Sequence, residues 1–155
     1  MNDSKKNTLE ALKEYIEKEY ETVVDLANDD ITFDVKLDAS KYGMYCLLIN
    51  DLLIIHLFTG IIQQPENIEI IKFINKINDS LPAGVVSGQP DEEIVIKTHL
   101  LSFEFTDEKL NEFNSSMGLI FANVERFLAG ISSVNSRFST AESAQRIIFS
   151  DFQAD

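Results

Sequence analysis

The sequence predicts an α+β domain in which helices pack against an antiparallel sheet. Two observations support this prediction. Several segments repeat apolar residues at three- and four-residue steps, which is the period of an amphipathic helix. Shorter runs of alternating or continuous apolar residues, separated by compact turns, indicate strands. The predicted order of elements is α-β-β-β-α-β-β-α, followed by a short C-terminal helix.

The first half of the chain predicts one helix and a three-stranded meander. Asn7 and Glu10 have the spacing of a capping box at the start of the helix. Asn50-Asp51 suits a two-residue turn between the second and third strands, because both residues tolerate positive φ. The apolar positions of the helix are Leu9, Leu12, Ile16, Tyr20 and Val23. The three predicted strands are Ile31 to Leu37, Met44 to Ile49 after a DASKYG loop, and Leu52 to Thr59.

The second and third strands of this meander are apolar on both faces. Either helices cover both faces of the sheet, or a partner buries part of it. We expect the hairpin to be covered on both faces within its own chain. The turn also sets the register, since pairing Ile49 with Leu52 places Cys46 opposite Ile55 and not opposite His56.

The stretch FINKINDSLPAG ends the second predicted helix. That helix is expected to begin at Pro65, a favoured first helical residue, and to run to about Asp79. At 100° per residue, Asn78 falls inside the apolar arc and Asn75 at its edge. We interpret both as structural polar residues. Asn78 is expected to bond main-chain groups that lose their partners at the turn Ser80-Leu81-Pro82.

The second half of the chain predicts two strands, a long helix and a tail. The strands are Val85-Val86 and Glu93 to Phe103, and the long helix begins after Thr106 and extends to Ile131. Residues 1–132 form the predicted domain and 133–155 the tail. A second capping box, Ser139 and Glu142, starts the tail helix. Its Phe149 and Phe152 are the candidate partner-binding residues.

The charge balance argues against some partners. The chain has 155 residues, with 26 acidic and 13 basic, for a net charge of −13. Phosphate backbones and anionic lipid surfaces would be repelled, so we expect neither nucleic acid nor membrane as a partner. The start of the chain has no apolar run typical of a signal peptide, and the single cysteine cannot form an internal disulfide. These features favour a cytoplasmic protein.

Catalytic and metal-binding motifs are not found in the sequence. There is no nucleophile elbow, phosphate-binding loop, dinucleotide fingerprint or HExxH motif. His56 is interpreted as a partly buried structural histidine, His99 as exposed, and Cys46 as a core residue without a base. The carboxylate clusters in the turns lack the spacing of a calcium loop. We therefore predict no catalytic, cofactor-binding or metal-binding residue.

Element order, size and acidity together resemble the type III secretion chaperone-like fold, and more closely the YbjN-like family of bacterial sensory transduction regulators. The segments that carry this resemblance are LLIIHLF, EIIKFINKINDSLPAG and DEKLNEFNSSMGLIFANVERFLAGI. The resemblance implies a small, acidic, bacterial protein that is not an enzyme and forms a homodimer. It supplies no functional residues, because no catalytic motif or binding consensus exists to transfer. The tail, 133–155, departs from the compact pattern.

Two hypotheses of function follow. The first is an interaction module that binds a polypeptide partner, by strand addition at a sheet edge or by a helix in a groove. The alternative is a small-molecule sensor or an unrecognised enzyme. That alternative requires a concave pocket with convergent polar groups, which His56 and Asn78 would supply.

Overall fold

A computed structural model describes residues 3–81 and 84–153, with side-chain environments up to residue 148. Within these residues the chain forms four helices and six strands, which confirms the predicted α+β class. The helices are α1 (Asp3–Glu19), α2 (Ile68–Ser80), α3 (Asp107–Asn135) and α4 (Ala141–Gln153). The strands are β1 (Asp25–Ala27), β2 (Asp30–Leu37), β3 (Ser40–Ile49), β4 (Leu52–Ile62), β5 (Val85–Ser87) and β6 (Glu93–Leu100).

The six strands form one antiparallel sheet in the order β1-β2-β3-β4-β6-β5. The predicted register of the central hairpin is confirmed, with Ile49 opposite Leu52 and Cys46 opposite Ile55. Asn50 has φ of 55°, the left-handed conformation that such a short turn requires. The predicted meander is therefore the centre of the sheet.

The strand boundaries correct the sequence interpretation in several places, among them the end of β4, which is Ile62 and not Thr59. The short edge strand β1 was not predicted. β3 begins at Ser40, so most of the predicted DASKYG loop is strand, and Asp38 with φ of 55° makes the tight turn. β6 ends at Leu100, short of Phe103. The start of β3 could not be recognised from local composition, because its first half, which contains Lys41 and Gly43, lacks the apolar residues typical of a strand.

The helix starts show which capping predictions were right. Thr106 caps α3, as predicted, by accepting a hydrogen bond from the backbone N–H of Lys109. The box at Asn7 is wrong, because α1 already includes residue 3. α4 is capped by the Thr140 hydroxyl, which accepts from Ser143 N, and not by Ser139. α3 also continues to Asn135, past the predicted end at Ile131.

α2 begins at Ile68 and not at Pro65, because Asn67 is its N-cap. The Asn67 Oδ1 accepts hydrogen bonds from Glu69 N at 3.1 Å and Ile70 N at 3.3 Å. Its Nδ2 donates to the carbonyl oxygens of Val134 and Asn135 at the end of α3. One buried amide thus starts α2 and ties it to the C-terminus of α3.

The helices cover a single face of the sheet, where the core lies. Along β4 the burial alternates strictly: Leu53, Ile55 and Leu57 are fully buried, whereas their neighbours on the opposite face are half-buried. Length and composition alone would let α3 cross a membrane, yet its apolar side packs into this core. The expectation that helices cover both faces of the hairpin is therefore wrong.

Candidate interaction face

The uncovered side of the sheet forms the outer face. Because side chains alternate along a strand, β3, β4 and β6 each send every second residue to it. Its centre is apolar and half-buried, with Lys97 at the β6 side. The residues of the outer face are Tyr45 and Leu47 of β3, Leu52, Ile54, His56 and Phe58 of β4, and Val95, Lys97 and His99 of β6.

A groove of about 610 Å³ lies where β4, β6 and β5 meet on this face. We call it the β6 groove. Two of its apolar side chains are well exposed, Val85 at 44% and Leu101 at 67%. Leu52 and Ile54 of β4 add to its apolar lining, together with the three basic side chains His56, Lys97 and His99. The groove thus combines apolar surface with positive charge in a chain of net charge −13.

His56 lies at the border between the apolar and the basic parts of the face. Its ring is 5.9 Å from that of Tyr45 and 6.4 Å from that of Phe58. Burial, and secondarily the charge of Lys97 opposite it on β6, lower the pKa of His56. The imidazole is therefore neutral at pH 7, which agrees with the expectation of a partly buried structural histidine. His99 is exposed, as predicted.

Lys97 is half-buried, and none of its neighbours in the sheet is acidic. It faces His56 across β4 and Val85 across β5, and Val95 and His99 flank it along β6. Among the described residues no carboxylate forms an ion pair with it. Sequence reasoning missed this residue, because its isolation depends on which strands neighbour β6.

Cys46 and His56 lie on opposite faces of the hairpin. Cys46 is fully buried on the helix side, and burial raises the pKa of its thiol. A protonated thiol facing the core has no base to activate it, which matches its interpretation as a core residue. Among the described residues no group of three or more metal-ligating side chains occurs.

Asn78 pairs with the outer edge of β5. Its Nδ2 donates to the Val86 carbonyl oxygen at 2.8 Å, and its Oδ1 accepts from the Val86 N–H at 2.7 Å. The expectation placed its partners at Ser80-Leu81-Pro82; the described bonds go to Val86 and not to Ser80 or Leu81, and Pro82 lies outside the described residues. Asn75 is exposed. Asn78 and His56 therefore do not converge on one pocket, as a small-molecule site built from both would require.

The tail helix packs on its own domain. Ala141 and Ala144 of α4 are buried against α2 and α3, and the Ala141 N–H donates to Glu69 Oε2 at 2.9 Å. The side chains of Phe149 and Phe152, the candidate partner-binding residues, lie outside the described part of the chain.

Comparison with known proteins identifies the fold. No family model matches the chain, and no curated protein matches it. A solved structure, the crystal structure of the ExsC–ExsE complex, contains a chain that is similar to this one at a TM-score of 0.54 and 14% identity. The match covers 83% of this chain and 97% of that one. This chain therefore shares its fold with a chain of that complex.

Proposed function

We propose that this protein is a non-enzymatic interaction module that binds a polypeptide partner on its outer face. The observation that carries the proposal is the continuous apolar surface of β3 and β4 that the helices leave uncovered. Side chains of this kind are normally buried, and exposed apolar patches on a sheet mark sites of association. The ExsC fold, seen in complex with ExsE, supports a polypeptide as the partner.

The structure favours docking on the face over strand addition at an edge. At one edge, β5 is only three residues long, and Asn78 occupies both outward-facing backbone groups of Val86. At the other edge, β1 also has three residues. Strand addition needs a row of unpaired backbone groups, and β1 and β5 supply one over only three residues each. The part of β2 beyond β1, Phe33 to Leu37, is also at the edge, where the Thr22 hydroxyl donates a hydrogen bond to the Asp34 carbonyl oxygen. The side chains of the outer face remain as the contact surface.

The finer assignment is also a proposal. We place the chain among chaperone-like or YbjN-like regulatory proteins of the bacterial cytoplasm, acting as a homodimer. The order of elements and the acidity support this placement, and the net charge of −13 disfavours nucleic acid and membranes. Light scattering across micromolar concentrations tests the dimer, and a monomer at every concentration would refute it.

A matched pair of variants tests the binding face. Ile54→Asp places a charge at the centre of the outer face, whereas Ile71→Asp places one on α2, where Ile71 is 46% exposed. Binding of a library of apolar peptides, followed by fluorescence anisotropy, is expected to be lost in the first variant and kept in the second. Peptides that bind both variants as they bind the wild type would exclude the outer face.

A further inference from the structure

We propose that the β6 groove recognises an Asp or Glu side chain within an apolar, extended segment of the polypeptide partner. Lys97 would receive the carboxylate, and the apolar groove residues would receive the side chains beside it. This inference rests on the proposed function and deepens it, because it specifies the chemistry of the bound segment. It also assigns a role to Lys97, which forms no ion pair among the described residues.

The first argument is the unmatched charge of Lys97. Several other basic residues of the described chain lie near carboxylates, such as Lys5 with Asp29 at 3.2 Å and Lys109 with Glu112 at 3.1 Å. Lys97 is half-buried on a sheet and has no such partner within the described part of the chain. A carboxylate of the partner would supply the opposite charge that the neighbouring strands do not.

The second argument is the distribution of acidic residues. The chain carries twice as many acidic as basic residues, 26 against 13, yet no acidic residue lines the β6 groove. Its three ionisable residues are Lys97, His56 and His99. The groove is therefore a place on this acidic surface that suits an anionic group.

The third argument is the apolar surface around the charge. Val85 and Leu101 form exposed walls of the groove, and Ile54 continues the surface toward the centre of the outer face. From Leu52 to Phe58 the face extends about 20 Å along β4, at about 3.3 Å per residue. That length matches an extended segment of about six residues and exceeds a single metabolite. A low-dielectric surround also strengthens the ion pair relative to one in water.

The test compares two peptides that differ in one charge. Pooled peptides of about ten residues, built from Leu, Ile, Val, Phe and Ser, carry either Glu or Gln at a central position. Fluorescence anisotropy measures their binding to the wild type and to Lys97→Met, which keeps the length of the side chain but removes its charge. Lys36→Met is the matched control, since Lys36 is an exposed lysine of β2, away from the groove.

The wild type is expected to bind the Glu peptides about tenfold more tightly than the Gln peptides, the scale of a charge-assisted hydrogen bond. Lys97→Met is expected to bind both sets equally, and Lys36→Met to keep the preference. Equal binding of both sets to the wild type, with loss of both in Ile54→Asp, would overturn this inference while leaving the proposed function intact.

Three further outcomes would each have a clear meaning. If no peptide binds, the proposed function fails together with this inference. If free glutamate displaces the peptides at low millimolar concentration, the groove is a small-molecule site and the inference is overturned. If no peptide binds and Ile54→Asp converts a dimer to a monomer, a second copy of the chain covers the face, which overturns it as well.

Discussion

The pairing of Asn78 with Val86 leads to a quantitative prediction. Asn78→Leu keeps the size of the side chain but removes both hydrogen bonds to β5. The Val86 N–H and carbonyl then lose their partners, and no strand lies beyond β5 to replace them. Because the Val86 side chain is buried, the strand cannot move outward toward water without exposing core.

The expected cost follows from the two groups involved. An unpaired buried backbone group costs about 1–3 kcal/mol. Asn78 is only half-buried, so water reaches part of the site, and we take about 1.5 kcal/mol for each group. The predicted loss is therefore about 3 kcal/mol. If the free energy of unfolding falls by about 2 kcal/mol per molar urea, this loss lowers the urea concentration at the unfolding midpoint by about 1.5 M.

Urea unfolding followed by circular dichroism measures this change. Asn75→Ala is the matched control, because Asn75 is an exposed asparagine of the same helix, and its midpoint is expected to move by less than about 0.3 M. If Asn78→Leu unfolds at the wild-type urea concentration or above it, the pairing with Val86 does not stabilise the fold. If the slope of the unfolding free energy against urea concentration changes instead of the midpoint, unfolding is no longer two-state.

The remaining predictions concern packing and titration. Gly130→Ala is expected to destabilise the protein by about 1–3 kcal/mol, because the new Cβ would lie 2.9 Å from Phe73 Cζ. Gly118→Ala would place its Cβ where nothing lies within 4 Å, and it is expected to stabilise the protein by about 0.5–1 kcal/mol. Thermal unfolding of both variants measures the difference. Cys46 is expected to resist iodoacetamide in the native state and to react in urea, as mass spectrometry would show. Burial raises the pKa of Tyr20 to about 12. The stability that the protonated phenol contributes is therefore complete below pH 10 and is lost as the pH rises toward 12. In urea titrations at several pH values, Tyr20→Phe is expected to show a smaller loss of stability over this range.

The sequence predicted the hairpin well because short-range constraints set it. A two-residue turn leaves one register, so the pairing of Cys46 with Ile55 followed from counting residues. The amphipathic period located α2 and α3 for the same local reason. The start of α2 could not be predicted in this way, because Asn67 caps it while bonding carbonyls of α3 that lie far along the chain. Pro65 offered the stronger local signal.

The candidate site was predictable only in part. The two apolar faces of β3 and β4 were evident from the sequence, but the sequence did not show which face the helices leave uncovered. Lys97 could not be selected in advance, since its significance depends on β4 and β5 being its neighbours in the sheet. Long-range strand order is a property of the whole fold, and residue spacing within one segment does not encode it.

The two polar features of this sheet have complementary effects on how a partner can bind. Asn78 closes the edge of β5 by bonding both outward-facing groups of Val86, which removes the simplest route for strand addition. The outer face remains open, and on it the charge of Lys97 has no partner within the sheet. Strand addition would select a partner by backbone pairing and would tolerate many sequences. Docking on the face, as we propose it, would select by side chains, so a partner would present apolar residues and a carboxylate in register. The capped β5 edge therefore disfavours pairing by backbone alone, and under our proposal the outer face would select a partner by its sequence.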